Sequence, residues 1–128
     1  MAKNYYQRAH GIILTFALDK RGSFNNLKNW LNAIRDNTTQ EIPLIIMANK
    51  KDIVDAREVP EEEIIEKSKE LNVIYFESSA KENIMIDEAF DKIIKMVYDS
   101  VYLSKIKGFD LDQKKRNTEM ENDSSCAC

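Results

Sequence analysis

Apolar positions follow two different periods along the chain, and the switches between them mark its elements. Gly11–Ala17 is a short apolar run carrying Ile12, Ile13, Leu14 and Phe16, which predicts a buried strand. Ser23 then predicts a helix cap, and Phe24, Leu27, Leu31 and Ile34 recur at helical spacing with Trp30 beside them. The polar stretch Thr38–Glu41 breaks that helix, and Pro43 opens a second apolar run, Leu44–Ala48. Pro60-Glu61-Glu62-Glu63 puts a proline and three acids at a helix start, where the helix dipole favours negative charge. That helix turns Ile64, Ile65 and Leu71 inward and ends near Asn72, ahead of a third strand at Val73–Phe76. A last helix repeats Ile86, Phe90, Ile93, Val97 and Val101 every three or four residues, the strongest periodic signal in the chain.

This alternation is the order expected of parallel strands joined by helical crossovers. Strands that are apolar throughout fit a sheet covered on both faces. The expected fold class is therefore α/β, with three parallel strands and alternating helices. After Ser104 the period stops. Residues 105–128 mix Lys105, Lys107, Lys114, Lys115 and Arg116 with Asp110, Asp112, Glu119, Glu121 and Asp123, so this tail is expected to be disordered.

Composition narrows the picture. With 128 residues, 43% hydrophobic and 32% charged, the chain suits one globular domain. A net charge of −3 argues against bulk binding to a nucleic-acid backbone, so no nucleic-acid partner is expected. No apolar run exceeds about six residues, so neither a transmembrane helix nor a signal peptide is expected. Cys126 and Cys128 both lie at the very end, which excludes a disulfide framework and points to a reducing compartment. A phosphate-cradling G-x-x-x-x-G-K-[ST] loop needs two glycines five positions apart, and Gly11, Gly22 and Gly108 do not supply them.

Ligands of parallel sheets gather just beyond the carboxyl ends of the strands. Two polar clusters fall there: Asn49-Lys50-Lys51-Asp52 after the second strand and Ser78-Ser79-Ala80-Lys81 after the third. Adjacent parallel strands place them side by side. A carboxylate next to exposed backbone N–H groups suits guanine, whose ring N1–H and exocyclic amine form a donor pair that one carboxylate accepts. Adenine lacks the N1 donor and would leave that carboxylate partly unpaired, which discriminates strongly. Asp52 is the candidate acceptor; Ala80 N–H would meet the guanine carbonyl, and the stems of Lys50 and Lys81 would lie against the base faces. On spacing alone, solvated turns with ordinary surface lysines account for the clusters equally well.

Further residues in order change that balance: Tyr5-Tyr6, Ala9-His10-Gly11-Ile12-Ile13-Leu14, Ser23-Phe24, Asn29-Trp30-Leu31, Arg57-Glu58-Val59 and Ser79-Ala80-Lys81-Glu82-Asn83. With Asn49-Lys50-Lys51-Asp52, they make the chain resemble the C-terminal part of a Ras-superfamily small GTPase, most closely the Rab branch. The resemblance implies a partial small-GTPase domain over residues 1–104, a three-layer fragment of the P-loop-GTPase fold, followed by a hypervariable tail at 105–128. It also implies GTP or GDP as ligand. Asn49, Lys50 and Asp52 would form the guanine-specificity motif, and Ser79, Ala80 and Lys81 the second base-contacting motif.

The family's phosphate loop, threonine-bearing switch and Asp-x-x-Gly-Gln element lie upstream of the double tyrosine, outside this sequence. Asp19-Lys20-Arg21-Gly22 follows the first strand with no glutamine after it and reads as coincidence; Phe16-Ala17 stands where the family has Tyr-Asp. No Mg²⁺ site is expected in this chain. The first strand is expected to present an unpaired apolar edge, Ile93 and Val97 to lack partners, and stability to be marginal. His10 reads as structural and Glu61–Glu63 as a solvated helix start.

Cys126-Ala127-Cys128 is not a C-a-a-X box, because Ser125 stands fourth from the end. It resembles the Rab ending, in which both cysteines receive geranylgeranyl groups; two chains anchor stably where one is reversible. The spacer from 105 to 128 spans roughly 25–30 Å as a flexible coil. The resemblance implies a membrane partner through these groups, together with Rab escort protein, prenyltransferase and GDP-dissociation inhibitor. It implies the cytoplasmic face of an intracellular membrane, or the cytosol when unprenylated. The implied function is that of a truncated Rab-like GTP-binding protein of vesicle-mediated transport. The alternatives are a non-switching, membrane-tethered binding module and a non-functional truncated product.

Phosphoryl transfer needs groups that cradle the β- and γ-phosphates, hold Mg²⁺ and orient water. A base of about eleven heavy atoms, at roughly −0.3 to −0.5 kcal/mol each, reaches only millimolar affinity. The residues present therefore predict no measurable GTP hydrolysis and weak nucleotide binding. Micromolar retention of labelled GDP in a filter assay would contradict this.

Overall fold

The computed structural model describes residues 6–38, 41–103 and 105–106. Cys126 and Cys128 lie outside the described residues, as does most of the tail. The chain divides into two compact units, Met1–Val97 and Tyr98–Cys128.

In the first unit three strands, β1 (Ile12–Ala17), β2 (Leu44–Asn49) and β3 (Ile74–Glu77), form one parallel sheet in the order β1-β2-β3. The helices are α1 (Arg21–Asn25), α2 (Leu27–Asn37), α3 (Glu61–Leu71) and α4 (residues 86–97). This is the expected α/β alternation. Among the described residues β1 pairs with β2 alone, and its six residues carry no charge, proline or break in register.

Side-chain parity splits the sheet into two faces, because successive strand residues point to opposite sides. Leu14, Phe16, Leu44, Ile46, Ala48 and Tyr75 meet Phe24, Leu27 and Leu31 of α1 and α2 and Ile64 and Leu71 of α3. On the other face Ile13, Ile45, Met47 and Phe76 meet Ile86, Ala89, Ile93 and Met96 of α4. Three layers result, with β2 buried from both sides.

Several local expectations change in the structure. Ser23 is no helix cap: it sits inside α1, and its hydroxyl accepts from Ala17 N–H at 3.1 Å and donates to Lys20 O at 2.6 Å. Those bonds tie the end of β1 to the helix that follows it. The predicted helix is also two, α1 and α2, parted at Asn26. The apolar spacing runs across that break, which is why periodicity alone joined them.

At α3, Pro60 is the N-cap and the three acids occupy the first turn. Asn72 ends the helix in the left-handed region (φ 54°), which Asn tolerates better than most side chains. Val73 N–H then donates to Ser68 O, turning the chain into β3. Burial pushes the Tyr75 phenol above its usual range, and the carboxylates of Glu61 and Glu77 add to that.

The periodic residues of α4 are not all inward. Ala89 and Ile93 are buried, whereas Phe90 is 48% exposed and Ile94 62%. One helix on one sheet face buries a narrower stripe than the apolar pattern offers. Ile93 has partners after all, packing with Ile45 and Met47, and Val97 lies against Gly11. Among the described residues of the second unit, 98–103 are helical, Val101 is exposed and the Tyr98 ring stacks on Tyr102 at 5.8 Å.

Gly11 is where α4 meets the entry to β1. A Cβ there would stand 2.7 Å from Val97 Cγ2 and 3.2 Å from Ile93 Cγ1, and Val97 is stiff at χ1. Gly11→Ala is expected to cost about 1–3 kcal/mol by overpacking. Gly22→Ala, with nothing within 4 Å and a place inside α1, is expected to gain about 0.5–1 kcal/mol. Urea midpoints moving in opposite directions for the two variants check this; a Gly11→Ala chain as stable as the parent contradicts it.

Candidate functional site

β2 and β3 run parallel with Ala48 opposite Glu77, so the loops that leave them emerge together at one sheet edge. Backbone bonds lock their bases: Ser78 N–H donates to Ala48 O at 2.8 Å, and Lys51 N–H to Ser78 O at 3.0 Å. The first loop folds back as Ile53 N–H donates to Lys50 O at 3.0 Å. The second closes through mutual Ser79 and Ile84 backbone bonds of 3.1 and 2.9 Å. Lys50 takes a left-handed backbone (φ 73°), uncommon for a lysine and a frequent mark of functional turns.

Two side-chain bonds cross between the loops. Ser79 Oγ donates to Asp52 Oδ1 at 2.7 Å, and Asn49 Oδ1 accepts Ala80 N–H at 3.1 Å. Ser79 is fully buried, and its oxygen also accepts Glu82 N–H at 3.1 Å, so it orients the half-buried Asp52 carboxylate. Each carboxylate oxygen has two lone pairs, so the bond to Ser79 leaves Asp52 able to accept from two further donors. Ala80 N–H differs from expectation in being engaged with Asn49. That bond is exposed, and a ligand carbonyl would replace the Asn49 oxygen rather than meet an idle donor. Lys81 is exposed on the second loop. Of the six residues singled out from sequence, Asn49 ends β2, and Lys50, Asp52, Ser79, Ala80 and Lys81 fall on the two adjoining loops that follow β2 and β3.

Sequence reasoning missed the groups around them. Leu18 N–H donates to Asn49 O at 2.9 Å, which brings the turn after β1 against the first loop. There Asp19 Oδ2 meets Lys50 Nζ at 3.3 Å, while Oδ1 is buried without a hydrogen-bond partner among the described residues. Within the Asp19-Lys20-Arg21-Gly22 string two residues have structural partners, Asp19 with Lys50 and Arg21 with Glu63. Glu77 is paired with Arg57 and lies 3.9 Å from Lys51, and Arg57 Nε donates to Val59 O at 2.8 Å. The ion-pair partners are far apart in sequence, so no local spacing could reveal them.

Arg21 fastens the same region from below. Its guanidinium forks onto Glu63 at 2.7 and 3.1 Å and donates to Glu58 O at 2.8 Å, while Arg21 N–H donates to Glu58 Oε2. Glu63 is therefore a partnered residue, unlike the solvated acid the sequence suggested. The hydrogen bonds from Arg21 hold its carboxyl below the usual range, against the opposing effect of burial. Arg21 is raised in turn, chiefly by the same hydrogen bonds.

No cluster of three or more His, Cys, Asp or Glu residues that could hold a metal occurs among the described residues. No described helix is long and apolar enough to cross a membrane.

Residues 1–99 match the family model described as Ras family. The chain is 34% identical over 91 residues to Ras-related protein Rab-13 of Canis lupus familiaris, covering 71% of this chain and 45% of that protein. It is 35% identical over 94 residues to Ras-related protein RGP2 of Oryza sativa subsp. japonica, covering 73% and 43%. Against Ras-related protein RabQ of Dictyostelium discoideum it is 34% identical over 94 residues, covering 73% and 46%. The chain thus spans less than half the length of these curated relatives.

The lowered Glu63 carboxyl makes the Arg21 clamp pH-dependent. A group whose folded value lies below its unfolded one stabilises fully above the unfolded value. The contribution fades as pH falls through the lowered folded value. Arg21→Met is therefore expected to lower thermal stability at pH 7 and to flatten its fall between neutral and acid pH. Parallel melting-temperature curves for parent and variant down to pH 3 would refute the clamp.

Proposed function

The chain belongs to the Ras family and is Rab-type in its resemblance, and from that premise we propose that its two adjoining loops read the base of a guanine nucleotide. Asp52 accepts the N1–H and amine of guanine. Ser79 holds Asp52 in place, and Ala80 N–H binds the guanine carbonyl by exchanging its bond to Asn49. The stems of Lys50 and Lys81 flank the ring. The observation that carries this reading is the pair of cross-loop bonds, Ser79 to Asp52 and Ala80 to Asn49, which holds a carboxylate and a backbone donor on neighbouring loops. Adenine offers the carboxylate no donor at N1, and an unmatched polar site is what makes such discrimination strong.

The wider role proposed is that of a Rab-type GTP-binding protein in vesicle-mediated transport, with these residues supplying base recognition. GTP and GDP are the ligands, bound weakly by this chain, and no Mg²⁺ is assigned to its residues. Cys126 and Cys128 are the proposed geranylgeranyl sites, through which the protein reaches the cytoplasmic face of an intracellular membrane. Rab escort protein, prenyltransferase and GDP-dissociation inhibitor are the proposed partners, and the unprenylated chain is cytosolic.

Titration of the ¹⁵N-labelled chain with GMP and AMP tests the base reading. GMP is expected to shift amides of residues 49–53 and 79–82 and to bind about tenfold more tightly than AMP, a difference that Asp52→Ala removes. Equal responses to the two nucleotides, or shifts elsewhere, would refute it.

A further inference from the structure

The run Lys50-Lys51-Asp52 sets two cations beside a carboxylate that the base-reading proposal needs for donors of a ligand. A lysine one or two residues away is the nearest competitor in sequence for that carboxylate, with its ammonium on a flexible four-carbon stem. In the structure neither lysine takes it. Lys50 Nζ lies 3.3 Å from Asp19 Oδ2 on the turn after β1, and Lys51 Nζ lies 3.9 Å from Glu77 Oε2 at the end of β3. Asp52 accepts from the neutral hydroxyl of Ser79.

We propose that Asp19 is a positioning residue for base recognition, a counter-ion that draws the Lys50 ammonium away from Asp52 and leaves that carboxylate open to the guanine donor pair. The inference rests on the base-reading proposal. Three features of the turn support it. Lys50 holds a left-handed backbone, which aims its side chain differently from that of a lysine in extended or helical backbone. The Asp19 side chain is only 18% exposed, so it stands in a medium where opposite charges attract more strongly than in open solvent. Its Oδ1 is buried with no hydrogen-bond partner among the described residues, so Lys50 is the partner that offsets the burial of this carboxylate. The Lys50 stem, held at its far end, is also ordered before a ring stacks on it. Glu77 engages Lys51 more distantly and is itself bound to Arg57, so Asp19 is the sharper test. Lys81, exposed on the facing loop, has no ion pair among the described residues.

The experiment is a double-mutant cycle read by NMR titration of the full chain with GMP, IMP and AMP. IMP keeps the N1 donor and lacks the exocyclic amine, so it reports on half of the donor pair. Asp19→Asn is expected to weaken GMP binding about fivefold, IMP less, and AMP less than twofold, because Lys50 then neutralises Asp52. Lys50→Met keeps the aliphatic stem and removes the competing charge. On that background Asp19→Asn is expected to change the GMP-to-AMP ratio by less than twofold. Amide dispersion in the free chain confirms that each variant is folded, and Asp19→Ser, expected to lower the GMP-to-AMP ratio by a similar factor, serves if Asp19→Asn does not fold. A parent GMP-to-AMP ratio in Asp19→Ser would overturn the counter-ion role. So would an equal loss from Asp19→Asn with and without Lys50, which would make Asp19 merely structural. If the unaltered chain does not prefer GMP, the base reading itself fails and the inference with it; if it does and Asp19→Asn keeps the parent ratios, the inference alone fails.

Discussion

Parallel pairing of Ala48 with Glu77 sends two stretches of chain out of the sheet at the same point and in the same direction. Everything at the candidate site follows from that registry. With the strands parallel, both carboxyl ends share an edge, and the backbone bond from Ser78 to Ala48 continues the ladder one step beyond β3. The loops are then near enough for one hydroxyl and one amide side chain to fasten them together. A one-residue slip would turn Ile46 and Met47 to the wrong faces, which the two apolar layers forbid. Burial of β2 therefore sets the geometry of the site.

The charged residues form a second layer of organisation. Arg21, Arg57, Lys50 and Lys51 all come from loops or helix starts at this edge, and each is turned onto an acid from another segment. Exposed pairs of this kind contribute little stability individually. Their consequence is placement, since each cation bound to a distant acid is absent from the neighbours it would otherwise meet. Asp52, which lies beside two lysines in sequence, meets a serine hydroxyl in space.

Much of the fold was legible because burial leaves a periodic trace. Phe24, Leu27, Leu31 and Ile34 all point inward as their spacing indicates, and the three strands fall within a residue or two of the apolar runs. The failures are equally physical. Ser23 has the chemistry of a cap, but its hydroxyl found Lys20 O and Ala17 N–H inside the first turn. Phe90 shares the spacing of Ile93, but a helix lying on one sheet face buries only part of its apolar circumference. Glu63 reads like Glu61 and Glu62, and only the approach of Arg21 from forty-two positions away separates it from them.

The order of strands and helices, and the placing of Asn49, Lys50, Asp52, Ser79, Ala80 and Lys81 at or just beyond strand ends, came from the amino-acid order by itself, because period and polarity are local properties. The folded chain alone decided that Ala80 N–H is engaged by Asn49, that Asp52 is oriented by Ser79, and that Asp19 and Glu77 face the two lysines. Those are contacts across some twenty to thirty residues of chain. Hydrogen bonds and ion pairs depend on distance and direction in space, and a linear pattern carries neither until the sheet has brought its edges together.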